Sequence, residues 1–463
     1  MRVRIERDSL GEGEVLPSVY YGIQTVRATE NFPISGLRAH PELIKAIAII
    51  KRAAAETNMI LGELDARIGQ AIAQAAQEVS DGLWHDHFVV DVFQGGAGTS
   101  FNMNANEVIT NRAIEMLGGE RGAYALVHPN DHVNMAQSSN DVFPTAIRLA
   151  SLALVNRLLP ELEALGGALK AKAAEFDNVV KPGRTHLQDA VPIRLGQEFG
   201  GYAAAINRAT ERLRHASRSL EELGLGGTAV GTGLNSHPQY QRAAVNRLSE
   251  LTGFDLRPAP SLIEASQSTA SFAEVSTALK LLALDLIRIA NDLRLMSSGP
   301  NTGFAEIDLP PMQPGSSIMP GKVNPVMAEV MNMVAFQVIG NDLAIAMACQ
   351  AGQLEINVMT PVIAFNLLQS LEIMKNTIRL FRERCVEGIT ANERRCRQLA
   401  ERSLGMATVL NPYLGYGRAA QIAQQSLATG RSIREIVLER KLISEEKANQ
   451  IFDPFNITKP GPK

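Results

Sequence analysis

A mainly α-helical protein, built round a central bundle of long helices, is what this 463-residue sequence predicts, on three observations. Aromatic residues make up only 5 % of the chain while Ala, Leu, Ile, Met and Val dominate, a mixture that favours helix over sheet. Apolar residues recur at helical spacing from Asp141 to Asp177, Arg194 to Leu223, Ser261 to Leu295 and Val326 to Ala351, each stretch too long for a strand. Two segments, Val275 to Ile289 and Val334 to Ala348, are apolar on more than one side. A bundle made by one chain therefore leaves apolar surface for other copies to cover.

The elements fall into three stretches. Residues 1–138 mix shorter helices with Gly-rich and Asn-rich loops and form an N-terminal domain. Residues 139–388 carry the long helices, the first interrupted only by Pro144 near its start and Pro160 inside. Residues 389–463 form a small helical domain, with helices over Ser432 to Arg440 and Ser444 to Phe452, and a tail at Pro460-Gly461-Pro462 expected to fray. No internal repeat or low-complexity tract interrupts this order.

Composition narrows the function. Lys and Arg number 45 against 48 Asp and Glu, a formal net charge of −3, and the basic residues are interspersed with acidic ones. Neither nucleic acid nor an acidic membrane surface is a partner that such a balance calls for; the substrate is expected to be small. The three cysteines, Cys349, Cys385 and Cys396, are too few for a disulfide framework or a zinc site, although Cys385 and Cys396 are candidates to lie close together. They read as buried thiols of a reducing cytoplasm. No apolar signal core follows Met1, and charge or proline interrupts each long apolar stretch before it spans a bilayer. The histidines do not combine with the cysteines into a zinc-ligand pattern, and neither a metal nor another cofactor is expected.

The chemistry concentrates in Gly315-Ser316-Ser317-Ile318-Met319-Pro320-Gly321-Lys322-Val323-Asn324-Pro325. Its glycines and prolines forbid regular structure, so the backbone is held in turns. Lys322 supplies a compact cation and Asn324 directed amide donors, which suits an anionic ligand. Three further polar strings sit at the joints between helices. Gln94-Gly95-Gly96-Ala97-Gly98-Thr99-Ser100 precedes Asn102, Asn104 and Asn106; it lacks both the lysine of a phosphate-binding P-loop and a dinucleotide glycine spacing, and offers Thr99 or Ser100 to a carboxylate. His128-Pro129-Asn130-Asp131-His132 leads to Ser138, Ser139 and Asn140 just ahead of a long helix, where they serve as caps or as an anion site. Gly183-Arg184-Thr185-His186-Leu187-Gln188 carries the histidine most crowded by polar residues, with Glu329 positioned to orient its ring if the two segments meet.

The order and spacing of these strings resemble the shared regions of the aspartase and fumarase superfamily, and the resemblance runs through nearly the whole chain. Tyr20-Tyr21-Gly22, Arg27-Ala28-Thr29-Glu30-Asn31-Phe32 and the Gln94–Asn104 string resemble its aspartate ammonia-lyase branch. Ser139 is more similar to the fumarase branch, Asn301 stands where both branches carry arginine, and Thr360 where aspartases often place glutamate. The resemblance implies a homotetrameric helical bundle with active sites shared between subunits. It implies deamination of L-aspartate to fumarate, with fumarate hydration as the alternative, and a silent helical scaffold as a third reading.

Removing a proton beside a carboxylate leaves an enediolate-like dianion, which has to be met by aimed donors and positive charge. By resemblance Ser316 is the general base, Thr99, Ser138 and Ser139 bind the carboxylate that gains charge, and Lys322 and Asn324 hold the other. The departing amine sits among Asn140, Thr185 and His186. On residue type alone, Ser317 is as eligible a base as Ser316.

Overall fold

A computed structural model describes residues 3–460. The expected fraying at Gly461 and Pro462 lies outside them; Pro460 is exposed. The protein is mainly helical, and the described chain divides into two compact units, each assembled from three segments: Met1–Leu159, Glu211–Leu281 and Phe336–Met374 in the first, Pro160–Thr210, Leu282–Ala335 and Lys375–Lys463 in the second.

The first unit opens with a hairpin of β1 (Arg4–Asp8) and β2 (Gly11–Val15), followed by α1 (Ile23–Asn31), α2 (Pro41–Ile60), α3 (Ala66–Ser80) and α4 (Thr99–Met116). Local rules set the helix starts. The His40 side chain accepts from the Glu42 N–H with Pro41 at the first position of α2, and Asp65 accepts from the N–H groups of Arg67 and Ile68 to begin α3. Small residues, Ala53 and Ala54 on α2 and Ala75 and Ala76 on α3, are fully buried, which lets these helices pack closely. The interior of α4 is buried on all sides from Phe101 to Asn111, polar residues included.

Five long helices and two shorter ones follow: α5 (Ser139–Glu175), α6 (Leu195–Ser217), the shorter α7 (Tyr240–Thr252) and α8 (Leu262–Gln267), α9 (Ala270–Met296), α10 (Val326–Gln350) and α11 (Thr360–Arg384). α5 runs unbroken through Pro144 and Pro160, so tertiary burial outweighs the roughly 3 kcal/mol that an interior proline costs. The stretch expected as one helix from Ser261 to Leu295 is split into α8 and α9 at Ser268-Thr269, and that from Arg194 ends at Ser217 before a short 3₁₀ turn. α11 has no counterpart among the sequence expectations. Its stripe of Ile363, Leu367, Leu371, Met374, Ile378 and Phe381 is fully buried at helical spacing, but Asn366, Gln369, Ser370, Lys375 and Asn376 lie between these positions and mask it.

Two of these helices, α5 and α10, are long and apolar enough to cross a membrane by composition, against the expectation that charge or proline interrupts every such stretch. In α5 the apolar window is 72 % buried inside the chain, as in a core helix; in α10 only 39 % is. Met333, Phe336, Leu343 and Met347 stand exposed on α10 at spacings of three, seven and four residues, a continuous apolar face.

In the second unit an antiparallel hairpin, β3 (Val180–Thr185) and β4 (Gln188–Arg194), departs from the all-helical pattern. Its register shifts between Pro182 and Arg184, and a Cβ on Gly183 would lie 2.5 Å from the Val191 carbonyl oxygen, so this position needs glycine. The chain ends in α12 (Glu393–Arg402), α13 (Asn411–Leu414), α14 (Tyr416–Thr429), α15 (Ile433–Glu439), α16 (Glu445–Ile451) and α17 (Pro454–Ile457). Leu410, Ile422, Ile433, Ile436, Val437 and Ile451 form a separate small core here. Ser432 and Glu435 close a reciprocal capping box at the head of α15. Cys385 and Cys396 are free and buried, and burial pushes both thiols up to about 12; Cys349 is free and half-buried.

Candidate active site

The first unit holds Thr99, Ser138, Ser139 and Asn140. Thr99 starts α4 directly after Gly98, whose φ of 71° is left-handed and whose hydrogen faces Phe143: a Cβ there would meet that ring at 2.3 Å. The Thr99 side chain is exposed, and its hydroxyl donates to the Gly96 carbonyl at 3.2 Å. Binding a carboxylate through this hydroxyl exchanges that bond.

Ser138, Ser139 and Asn140 open α5, all half-buried. The capping reading of Ser138 holds: its Oγ accepts from the Asn140 N–H at 3.2 Å, while its own N–H donates to Asp141 Oδ1 at 2.9 Å. Asp141 is buried, and its second oxygen accepts from the N–H groups of Gly226 and Thr228 at 3.0 and 2.9 Å, which fastens the start of α5 to the Gly226–Gly233 loop. The Ser139 Oγ accepts from Asn102 Nδ2 at 3.0 Å. Both serines thus receive a hydrogen bond and retain a hydroxyl proton to donate, the polarity a carboxylate requires. Asn140 has the opposite polarity. Its Nδ2 donates to the Ala229 carbonyl at 2.7 Å, which leaves Oδ1 as an acceptor.

The second unit holds the remaining residues. The Gly315–Pro325 loop is pinched at its base by the Gly315 N–H donating to the Lys322 carbonyl at 2.7 Å, by Asn324 Nδ2 donating to the Gly315 carbonyl at 2.9 Å, and by a bridge between Pro314 and Val323. Within it Ser316 Oγ accepts two backbone N–H groups, from Ile318 at 3.2 Å and Met319 at 3.0 Å. Such donors stabilise an oxygen that loses its proton. Ser317 has no corresponding bonds among the described residues, which separates two serines that residue type leaves equivalent. Lys322 is exposed and has no ion pair among the described residues. Lys322, Asn324 and Glu329, in the first turn of α10, line a cleft of about 700 Å³ with Arg294, Ser298 and Asp308.

Thr185 and His186 stand exposed at the tip of the β3–β4 hairpin, where His186 and Leu187 adopt left-handed φ values of 52° and 61°. Non-glycine residues at two successive left-handed positions store strain. Among the described residues no hydrogen bond or ion pair joins His186 to Glu329, so Glu329 does not orient the ring within one chain.

Residues 11–340 match the family described as Lyase, and residues 406–459 that described as Fumarase C C-terminus. An aspartate ammonia-lyase of Bacillus subtilis (strain 168) is 54 % identical over 458 residues, 99 % of this chain and 96 % of its own length. The chain belongs to the aspartase and fumarase family of lyases. A class II fumarate hydratase of Brucella suis is 49 % identical over 97 % of both chains. Among solved structures, a Brucella melitensis protein described as fumarate lyase:delta crystallin bound to cobalt superposes with a TM-score of 0.96 at 48 % identity, covering 99 % of this chain and 100 % of that one.

Parts of the family-like pattern turn out to be architectural. The Tyr20-Tyr21-Gly22 string is held by Glu107 of α4, which accepts from the N–H groups of Gly22, Gln24 and Thr25 at 2.8, 2.9 and 3.1 Å and from the Thr25 hydroxyl at 2.6 Å. Burial pushes this carboxyl up to about 7 in spite of those donors. Asn301 is exposed, and Arg294 joins Lys322 on the cleft wall. Thr360 is buried at the start of α11 with no partner for its hydroxyl. The sequence gives no functional role to Asn102, Asp141 or Lys51. Lys51 carried a signal: it is the one charged residue on the buried stripe formed by Ile47, Ile50, Ala54 and Ala55 of α2.

Proposed function

We propose that this chain deaminates L-aspartate to fumarate and ammonia. The observation that carries the mechanism is Ser316 Oγ between two backbone N–H donors. Ser316 Oγ, having first given its own proton to solvent, takes the C3 proton as an alkoxide, and the electron pair of that C–H bond passes into the adjacent carboxylate to give an enediolate. Collapse of the enediolate restores the carboxylate, forms the C2–C3 double bond and breaks the C2–N bond, releasing ammonia. Ser138 and Ser139 donate to the carboxylate that gains charge, joined by Thr99 once its bond to Gly96 is exchanged. Lys322 and Asn324 hold the other carboxylate, and Thr185 and His186 meet the departing group.

An amine as that group is compatible with Asn140, whose Oδ1 is left to accept from an ammonium as it would from a hydroxyl. The 54 % identity to an aspartate ammonia-lyase agrees. Fumarate hydration is the second reading, on the 49 % identity to a fumarate hydratase and on Ser139. Ultraviolet detection of fumarate formed from aspartate and from malate, side by side, decides: turnover of malate alone overturns the deaminase reading.

Replacing Lys322 by alanine removes a charge-assisted contact of about 1.5–3 kcal/mol. Inhibition by succinate is expected to weaken roughly 10- to 100-fold with it. Unchanged succinate inhibition would show that Lys322 does not touch the ligand.

The assembly is proposed to be a homotetramer with each site drawn from several subunits, and the exposed apolar face of α10 supports a helix that is covered by other copies. Phe336→Glu combined with Leu343→Glu is expected to lower the mass measured by light scattering while far-ultraviolet circular dichroism keeps its helical signal. A tetramer mass in that variant would move the interface elsewhere.

A further inference from the structure

Beneath Ser139 runs a chain of buried and half-buried side chains to which the proposed chemistry assigns no part. Lys51 Nζ, on a residue with no exposed surface, donates to Asn134 Oδ1 at 3.0 Å and to Gln137 Oε1 at 2.9 Å. The same Asn134 oxygen accepts from Asn102 Nδ2 at 3.2 Å and from Asn106 Nδ2 at 3.2 Å. The second hydrogen of Asn102 Nδ2 goes to Ser139 Oγ at 3.0 Å. Asn134 Nδ2 donates to the Gln137 carbonyl at 3.2 Å, one residue before Ser138, across a turn in which Ala136 has a left-handed φ of 59°.

Polarity propagates along this chain in one direction. An ammonium donates only, so Lys51 fixes which end of the Asn134 amide faces it. The Asn134 oxygen, so placed, demands a donor from Asn102 and sets that amide in turn. Asn102 then presents N–H, and not oxygen, to Ser139, whose own proton is left for a ligand. The arrangement is imposed at some cost: the buried Oδ1 atoms of Asn102 and Asn106 have no partner. Burial draws the Lys51 ammonium down to about 7, opposed by Asp141, so this cation is itself held in an unfavourable place.

We propose that Asn102 and Lys51 are positioning residues that lock the Ser139 hydroxyl as a hydrogen-bond donor to the substrate carboxylate. The inference rests on the reading of Ser139 as a substrate contact. A donor held toward charge that grows in the transition state acts on kcat more than on KM. Asn102→Asp keeps the side-chain shape but offers only acceptors, which turns the Ser139 proton inward. In the assembled enzyme with aspartate, Asn102→Asp and Ser139→Ala are each expected to lower kcat/KM roughly 10- to 100-fold, mainly through kcat. Combined, the two are expected to cost no more than Ser139→Ala alone, within about 2-fold, because Asn102 acts only through Ser139.

Lys51→Met, one hydrogen bond further back, provides a second arm. It is expected to lower kcat/KM by less than Asn102→Asp and to have no effect in the Ser139→Ala background. Multiplicative losses in either double variant would overturn the positioning role and leave the substrate assignment standing. An undiminished kcat/KM for Ser139→Ala alone would overturn both. Should Asn102→Asp fail to assemble, the Lys51→Met pair decides the question by the same comparison.

Discussion

Ser316→Ala is expected to lower turnover of aspartate by roughly 100- to 10,000-fold, the range that a positioned general base supplies. The substitution leaves no core cavity, since the half-buried side chain belongs to a largely exposed loop closed by bonds that do not involve its hydroxyl: the Gly315 N–H to the Lys322 carbonyl, and Asn324 Nδ2 to the Gly315 carbonyl. Thermal unfolding should therefore stay close to that of the unaltered protein. Ser317→Ala, which removes no Oγ held by backbone N–H groups, is expected to retain turnover within a few-fold. Steady-state rates of fumarate formation check both; near-normal turnover in Ser316→Ala places the base elsewhere.

The second large effect is a recovery of activity. Ser138→Ala and Ser316→Ala are each expected to be nearly inactive. If each site takes Ser138 and Ser316 from different chains, unfolding the two variants together in equal amounts and reassembling them leaves roughly a quarter of sites intact, one half times one half. A site contained in one chain regains nothing, because every chain in the mixture carries a lesion. Absence of recovery, with mixed assemblies verified by native mass spectrometry, would remove the shared-site proposal.

The sequence announces its long helices because their apolar stripes are regular. α5 and α10 match the predicted Asp141–Asp177 and Val326–Ala351 stretches to within a few residues. It conceals α11, whose stripe is as regular but sits among amides and hydroxyls, and it conceals the β3–β4 hairpin, whose turn carries His186-Leu187 in place of the Asn-Gly or Asp-Gly that marks such turns. The polar strings at the joints are visible as strings. Which serine carries two N–H donors is not visible, because that depends on how residues 316–319 turn back on Ser316. Buried partners such as Lys51 and Asn102 escape for a related reason: their meaning comes from residues 83 and 37 positions away, at Asn134 and Ser139.

The hairpin tip has a consequence for how such enzymes diverge. Thr185 and His186, which are proposed to meet the departing group, are exposed at the end of β3 and in the two-residue turn after it, whereas the residues that set the serine donors lie in the interior of α2 and α4. Selection acting on the nature of the expelled group therefore has a short, solvent-facing segment to work on, with no core to repack. Selection acting on the serine donors of the carboxylate does not.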